Sequence, residues 1–232
     1  MMTIIVVVIV SGALVIGAVW GIYGNLSERL EGFLVAMAGG ALLVSALLEL
    51  INPALNQNSI PITLAMVFAG AITFTLLDYL VKKKWGSQSG GGLLAAITLD
   101  GIPENLALGV ALIGASPLSV AALSGSILLS NLPEAAGGAK EMSNDTNSKK
   151  KVLWLWVGTA LILSAAALIG NYVLADVSKE YLNYIKCFAG GAVVASLALE
   201  VFPKSFQKDK YWTGVATTIG LVLALYLNTL GE

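Results

Sequence analysis

Eight long apolar stretches dominate the chain, at 3–22, 33–51, 61–81, 93–114, 117–139, 152–175, 187–205 and 212–229. About 20 residues of α-helix cross the roughly 30 Å hydrocarbon core of a bilayer, so each stretch is long enough to span it. Helices that are apolar on all sides belong either in lipid or deep inside a large soluble core. Composition decides between the two. Charged residues make up 12% of the 232 positions and hydrophobic residues 57%, whereas a soluble domain carries about 25% charged residues. So few charges cannot cover a water-facing surface. The chain is predicted to be an all-α, polytopic membrane protein, a single transmembrane domain over 1–232 with eight transmembrane helices. No Lys or Arg precedes the first stretch, which reads as a membrane helix rather than a signal peptide.

What the chain lacks narrows its chemistry. It has no histidine and one cysteine, Cys187. Ser-His-Asp and Cys-His triads, His-Glu-x-x-His zinc sites and an internal disulfide are therefore excluded. With 13 Lys+Arg against 14 Asp+Glu the net charge is −1, which excludes a strongly basic nucleic-acid binder. The partner that the composition demands is the lipid bilayer. Of the 13 cations, 11 fall on one side of an eight-span topology, near Arg29, Lys82 to Lys84, Lys140, Lys149 to Lys151, Lys204, Lys208 and Lys210. Only Lys179 and Lys186 fall on the other. The positive-inside rule makes the richer side cytoplasmic, so both termini are expected outside, in the plasma (cytoplasmic) membrane. Two charged, Gly/Ser/Asn-rich segments, about 82–92 and 140–151, read as cytoplasmic linkers.

The sequence also repeats itself. At a constant offset of 151, Ala38, Gly39, Gly40, Ala41, Ser45 and Glu49 match Ala189, Gly190, Gly191, Ala192, Ser196 and Glu200, and a proline follows each set at Pro53 and Pro203. At an offset of 30, Leu99, Pro103 and Glu104 match Leu129, Pro133 and Glu134. In an eight-span topology the matched stretches run in opposite directions. Inverted repeats of this kind place interrupted helices around a midplane site in transporters. The expected plan is three helices, a central pair, then three helices. The glycine pairs are expected to permit close helix packing.

The central pair carries the chemistry. Asp100 and Glu104 are one turn apart on one face of the fourth span, as are Ser130 and Glu134 on the fifth, with Asn131 beside them. At about 1.5 Å per residue, Glu104 lies roughly 16 Å from the cytoplasmic start of its span and Ser130 to Glu134 about 8–14 Å from the cytoplasmic end of theirs. The two faces can meet near mid-membrane. Pro103 and Pro133 cannot donate to the carbonyls of Leu99 and Leu129, so each kink frees an oxygen one turn from a glutamate. An ionised carboxylate near the bilayer centre costs about 2.5–3.5 kcal/mol, so Asp100, Glu104 and Glu134 together would cost about 8–10 kcal/mol unpaired. All 13 basic residues are expected in loops or at span ends. Relief must then come from protons, water or an imported cation, or the acids are structural and neutral. Glu49 and Glu200 read equally as access-route or interface residues, and Asp78 is expected to pair with Lys82.

These residues resemble the ZIP family of divalent metal transporters, over essentially the whole chain. Family members have His-Asn-x-Pro-Glu-Gly in the fourth span and a similar Pro-Glu motif in the fifth. Here the fourth reads Asp100-Gly101-Ile102-Pro103-Glu104-Asn105 and the fifth Ser130-Asn131-Leu132-Pro133-Glu134-Ala135; the run ending at Pro203 is similar to the family's seventh span. The resemblance puts Asp100 at the histidine ligand and Glu104 at the bridging glutamate. Both histidines are missing, Gly101 replaces an Asn ligand and the sixth span has no acid. These departures favour one oxygen-lined site over a two-metal centre. Oxygen ligands suit Mn²⁺ or Mg²⁺, and Zn²⁺ stays open through carboxylates.

The expectation is thus ZIP-like transport, not enzymatic, of a divalent metal ion (Zn²⁺, Mn²⁺ or Fe²⁺) as substrate, with no organic cofactor and with Asp100, Glu104, Ser130, Asn131 and Glu134 as metal ligands. Alternatives are a metal sensor, a proton or monovalent-cation pathway, or an intramembrane aspartyl protease using Asp78 and Asp100. A homodimer is left open.

Overall fold

A computed structural model describes residues 1–85, 90–116, 119–145 and 148–231. Among these are eight long helices and no strand: α1 Met2–Tyr23, α2 Glu28–Gln57, α3 Ile60–Trp85, α4 Gly90–Ala111, α5 Ala121–Asp145, α6 Lys149–Val173, α7 Lys179–Lys208 and α8 Thr213–Gly231. Seven of them are long and apolar enough to cross a bilayer. The exception is α5, where Ser124, Ser126, Ser130, Asn131 and Glu134 interrupt the apolar run. The outside of the bundle is apolar as well. Ile5 and Val8 of α1, Phe68 and Leu76 of α3, Leu161 of α6 and Val222 of α8 are all exposed. Such a belt would aggregate in water and is the natural outer surface of an all-α integral membrane protein.

Local chemistry sets the helix boundaries. The Ser27 hydroxyl accepts from the Leu30 N–H at 3.2 Å, and Glu28 and Glu31 sit in the first turn, so α2 opens with a cap and favourable charge. Ser148 caps α6 in the same way, accepting from Lys151 N–H at 3.4 Å. Both α2 and α7 run for 30 residues, well beyond the predicted 33–51 and 187–205. Each contains a wide, π-helical turn, Ala46–Ile51 and Leu197–Val201. The extra residue resets the register, so Pro53 and Pro203 fall in the first turn of a renewed helix, where no N–H is needed. Helix also continues through Lys82–Trp85 and through 140–145, inside the predicted linkers, whose residues 86–89 and 146–147 lie outside the described residues.

The main helix pairs are α1 with α5, α2 with α8, α3 with α7 and α4 with α6. Additional contacts join α1 to α6, α2 to α5 and α7, and α4 to α7. Glycine sets the closest approaches. A Cβ on Gly40 would overlap the backbone oxygen of Thr217 in α8, and a Cβ on Gly191 would overlap that of Val67 in α3. Gly39 faces Val201 and Phe202, while Gly190 faces Leu50 and Ile51. The matched glycines of α2 and α7 thus make similar contacts, one with the backbone of a neighbouring helix and one with the region of the other helix's wide turn. Two large apolar clusters occupy the interior among the described residues, with a smaller one of Ala41, Val44 and Ala224 between α2 and α8. One gathers Leu42, Leu50, Leu108, Leu123, Ile127 and Val193 from α2, α4, α5 and α7. The other gathers Leu14, Ile97, Ala139, Met142, Trp156 and Leu163 from α1, α4, α5 and α6.

Gly191→Ala is expected to destabilise the protein in detergent by about 1–3 kcal/mol, because the added methyl forces α7 off α3. Gly158→Ala, with nothing within 4 Å of its Cβ position, is expected to leave thermal unfolding unchanged or to raise stability slightly, by up to about 1 kcal/mol, because alanine favours helix.

Candidate functional site

The middle parts of α2, α4, α5 and α7 enclose a set of polar groups deep in the bundle. Asp100 and Glu104 project from α4 and are 7% and 6% exposed. Between them Pro103 interrupts the helix interior. The next residue, Asn105, is completely buried; its Nδ2 donates to the Gly101 oxygen at 2.9 Å and its Oδ1 has no hydrogen-bond partner. On α5, Pro133 again sits inside the helix, and Ser130 donates its hydroxyl to the Glu134 carboxylate one turn on. Ser45 of α2 and Ser126 of α5 share a hydrogen bond at 3.1 Å.

The expected ligands are brought together unequally. Glu134 lies within electrostatic reach of both Asp100 and Glu104. Ser130 joins the group through its bond to Glu134. Asn131 is buried but turns its Nδ2 to the Val10 oxygen of α1 at 3.0 Å. Its amide oxygen is what remains for an ion. Asp100 Oδ1 is buried without a partner, with Ser196 of α7 beside the carboxylate. Among the described residues, no three Asp, Glu or Cys side chains already stand close enough to form a metal shell. The group is a loose acidic pocket held by two helices that each carry an interior proline.

Several residues of this region escaped the sequence reading. A cavity of about 20 Å³ is lined by Asp100, Glu134, Glu200 and Lys204 among apolar neighbours. That is room for a water or an ion. Glu200 and Lys204 also line a larger cavity of about 520 Å³ at the end of the bundle, with Lys82, Glu141, Asp145 and Lys208. Glu200 and Lys204 thus stand on the walls of both cavities, at the end rich in lysines. Toward the other end, Leu108, Leu123 and Ile127 close the interior. Beyond them Glu49 and Lys186 share a separate cavity of about 290 Å³. The matched glutamates therefore occupy opposite ends, and only Glu200 reaches the pocket.

Lys82, Lys204 and Lys208 stand at helix ends as expected, but the expectation that the buried acids find no lysine for relief is corrected. Lys82 bridges Asp78, at 2.9 Å, and Glu200 of α7. Lys208 pairs with the buried Glu31 of α2 and lies 3.6 Å from Glu141. Lys204 acts electrostatically on Glu134. The reason is geometric. α3 and α7 extend beyond the apolar runs, and the flexible lysine stems lie along the helices and carry their ammonium groups to the acids. The predicted Asp78–Lys82 pair is present, although Asp78 is thereby tied to Glu200 and not to Asp100.

No protein-family model matches the chain, and no curated protein matches it.

Lys82→Met removes the shared cation of Asp78 and Glu200. It is expected to cost about 1–3 kcal/mol of stability, since two largely buried acids lose their partner. Adding Asp78→Asn and Glu200→Gln to the same protein should recover most of that loss in thermal unfolding.

Proposed function

We propose that the protein is a ZIP-like membrane carrier of a divalent metal cation, with Zn²⁺, Mn²⁺ or Fe²⁺ as substrate. The observation that carries this reading is the small cavity shared by Asp100 and Glu134, with Glu104 one turn from Asp100, a proline inside each helix, and one Asp100 oxygen buried and unpartnered. Hard oxygen donors in a low-dielectric interior suit a small divalent cation. Asp100, Glu104 and Glu134 would supply carboxylates, Ser130 a hydroxyl and Asn131 its amide oxygen. Because these groups do not yet form a shell, ion binding would draw α4 and α5 together around the charge.

The reading includes eight spans, with α5 crossing inside the bundle and shielded from lipid by α1 and α2. Its polar residues are then explained by a lining role. The duplicated glycine contacts of α2 and α7 support inverted repeats, and the cation asymmetry supports a plasma-membrane protein with both termini outside. Transport would proceed by alternating access, one group of helices rocking against the other about the pocket. The end lined by Lys82, Glu200 and Lys204 is the open one, and the apolar cluster closes the opposite route.

Uptake of Mn²⁺, Zn²⁺ and Fe²⁺ into proteoliposomes tests the proposal. Glu104→Ala and Glu134→Ala are each expected to reduce uptake to the level of protein-free vesicles while the helical circular dichroism is retained. Wild-type uptake in both variants would overturn it, as would proton flux with no divalent uptake.

A further inference from the structure

Lys204 stands out among the lysines of the open end. Lys82 is committed to Asp78 and Glu200, and Lys208 to Glu31 and Glu141. Lys204 makes no direct ion pair among the described residues, yet it lines two cavities at once. In the inner one it shares the walls with Asp100, Glu134 and Glu200, and in the outer one with Glu141 and Asp145. Acidic groups therefore await its ammonium at either end of the swing of its stem. The inner wall also holds the unpartnered Asp100 oxygen, on a residue only 7% exposed.

Resting on the carrier reading above, we infer that Lys204 is a tethered counter-cation that enters the acidic pocket when no metal is there and withdraws toward Glu141 and Asp145 when metal binds. Burying several carboxylates with no cation is costly, and an empty carrier must still change conformation. A lysine on a four-carbon stem supplies a mobile charge without leaving the protein. Lysine and metal then compete for Glu134, so the metal affinity contains the cost of displacing the ammonium. The same competition gives the empty and loaded pockets similar net charge, which lets both states reorient.

Equilibrium Mn²⁺ titration of the purified, detergent-solubilised full chain tests this. Lys204→Gln and Lys204→Met are expected to bind Mn²⁺ on the order of tenfold tighter than wild type, the scale of a typical coupling between two ligands. Lys204→Arg, which keeps the charge, should stay near wild type. Unchanged or weaker binding in both neutral variants would overturn the inference while leaving the carrier reading intact. Wild-type protein that binds no Mn²⁺, Zn²⁺ or Fe²⁺ would overturn both.

Discussion

Carboxylates buried in a medium that cannot solvate them are the constraint on which the rest of this molecule depends. An ionised Asp or Glu without water or a partner is costly, and α4 and α5 together place three acids inside the bundle, two of them on α4 with less than a tenth of their surface exposed. Much of the surrounding architecture reads as accommodation of that charge. Lysines reach inward from the ends of α3 and α7, serines face the acids, and the proline breaks leave carbonyl oxygens without their helical donors. Apolar contacts alone hold the outer surface; the interior is organised around a few charges.

The scaffold meets that constraint by close backbone packing. Small residues let α2 lie on α8 and α7 on α3 with the glycine faces in contact. Wide turns in α2 and α7 carry the helices past Pro53 and Pro203, and Glu49 and Glu200 both sit within those turns. The two glutamates hold matching positions within those turns, but each faces its own end of the bundle. The two ends differ: the cavity at one shares Glu200 and Lys204 with the pocket, and the cavity at the other is separated from it by apolar side chains.

Much of the fold was legible because lipid writes long, simple signals into a sequence. The helices follow the apolar stretches closely, and the matched glycines foretold close packing at the right positions. The polar fifth helix was also visible as a segment, although its serines and Glu134 keep it below the apolarity of the others. Helix ends were less legible. Capping by Ser27 and the wide turns extend α2 and α7 beyond their apolar runs, and hydrophobicity carries no trace of either device. Around the pocket, the closeness of Ser130 to Glu134 and of Asp100 to Glu104 was readable from turn spacing. Glu200, Ser196 and Lys204 come from a helix distant in sequence, so only tertiary packing brings them in. The lysines misled most, since position along the chain does not tell where a long flexible side chain ends.

The central claim is that a divalent ion binds among the oxygens of α4 and α5. X-ray absorption of Zn²⁺-loaded protein at one equivalent tests it most directly. The account predicts a shell of oxygen neighbours alone, at about 2.0–2.2 Å, that is lost in a Glu104→Gln, Glu134→Gln double variant. A sulfur neighbour, which only Cys187 or a methionine could supply, or a spectrum unchanged by the double variant, would contradict it.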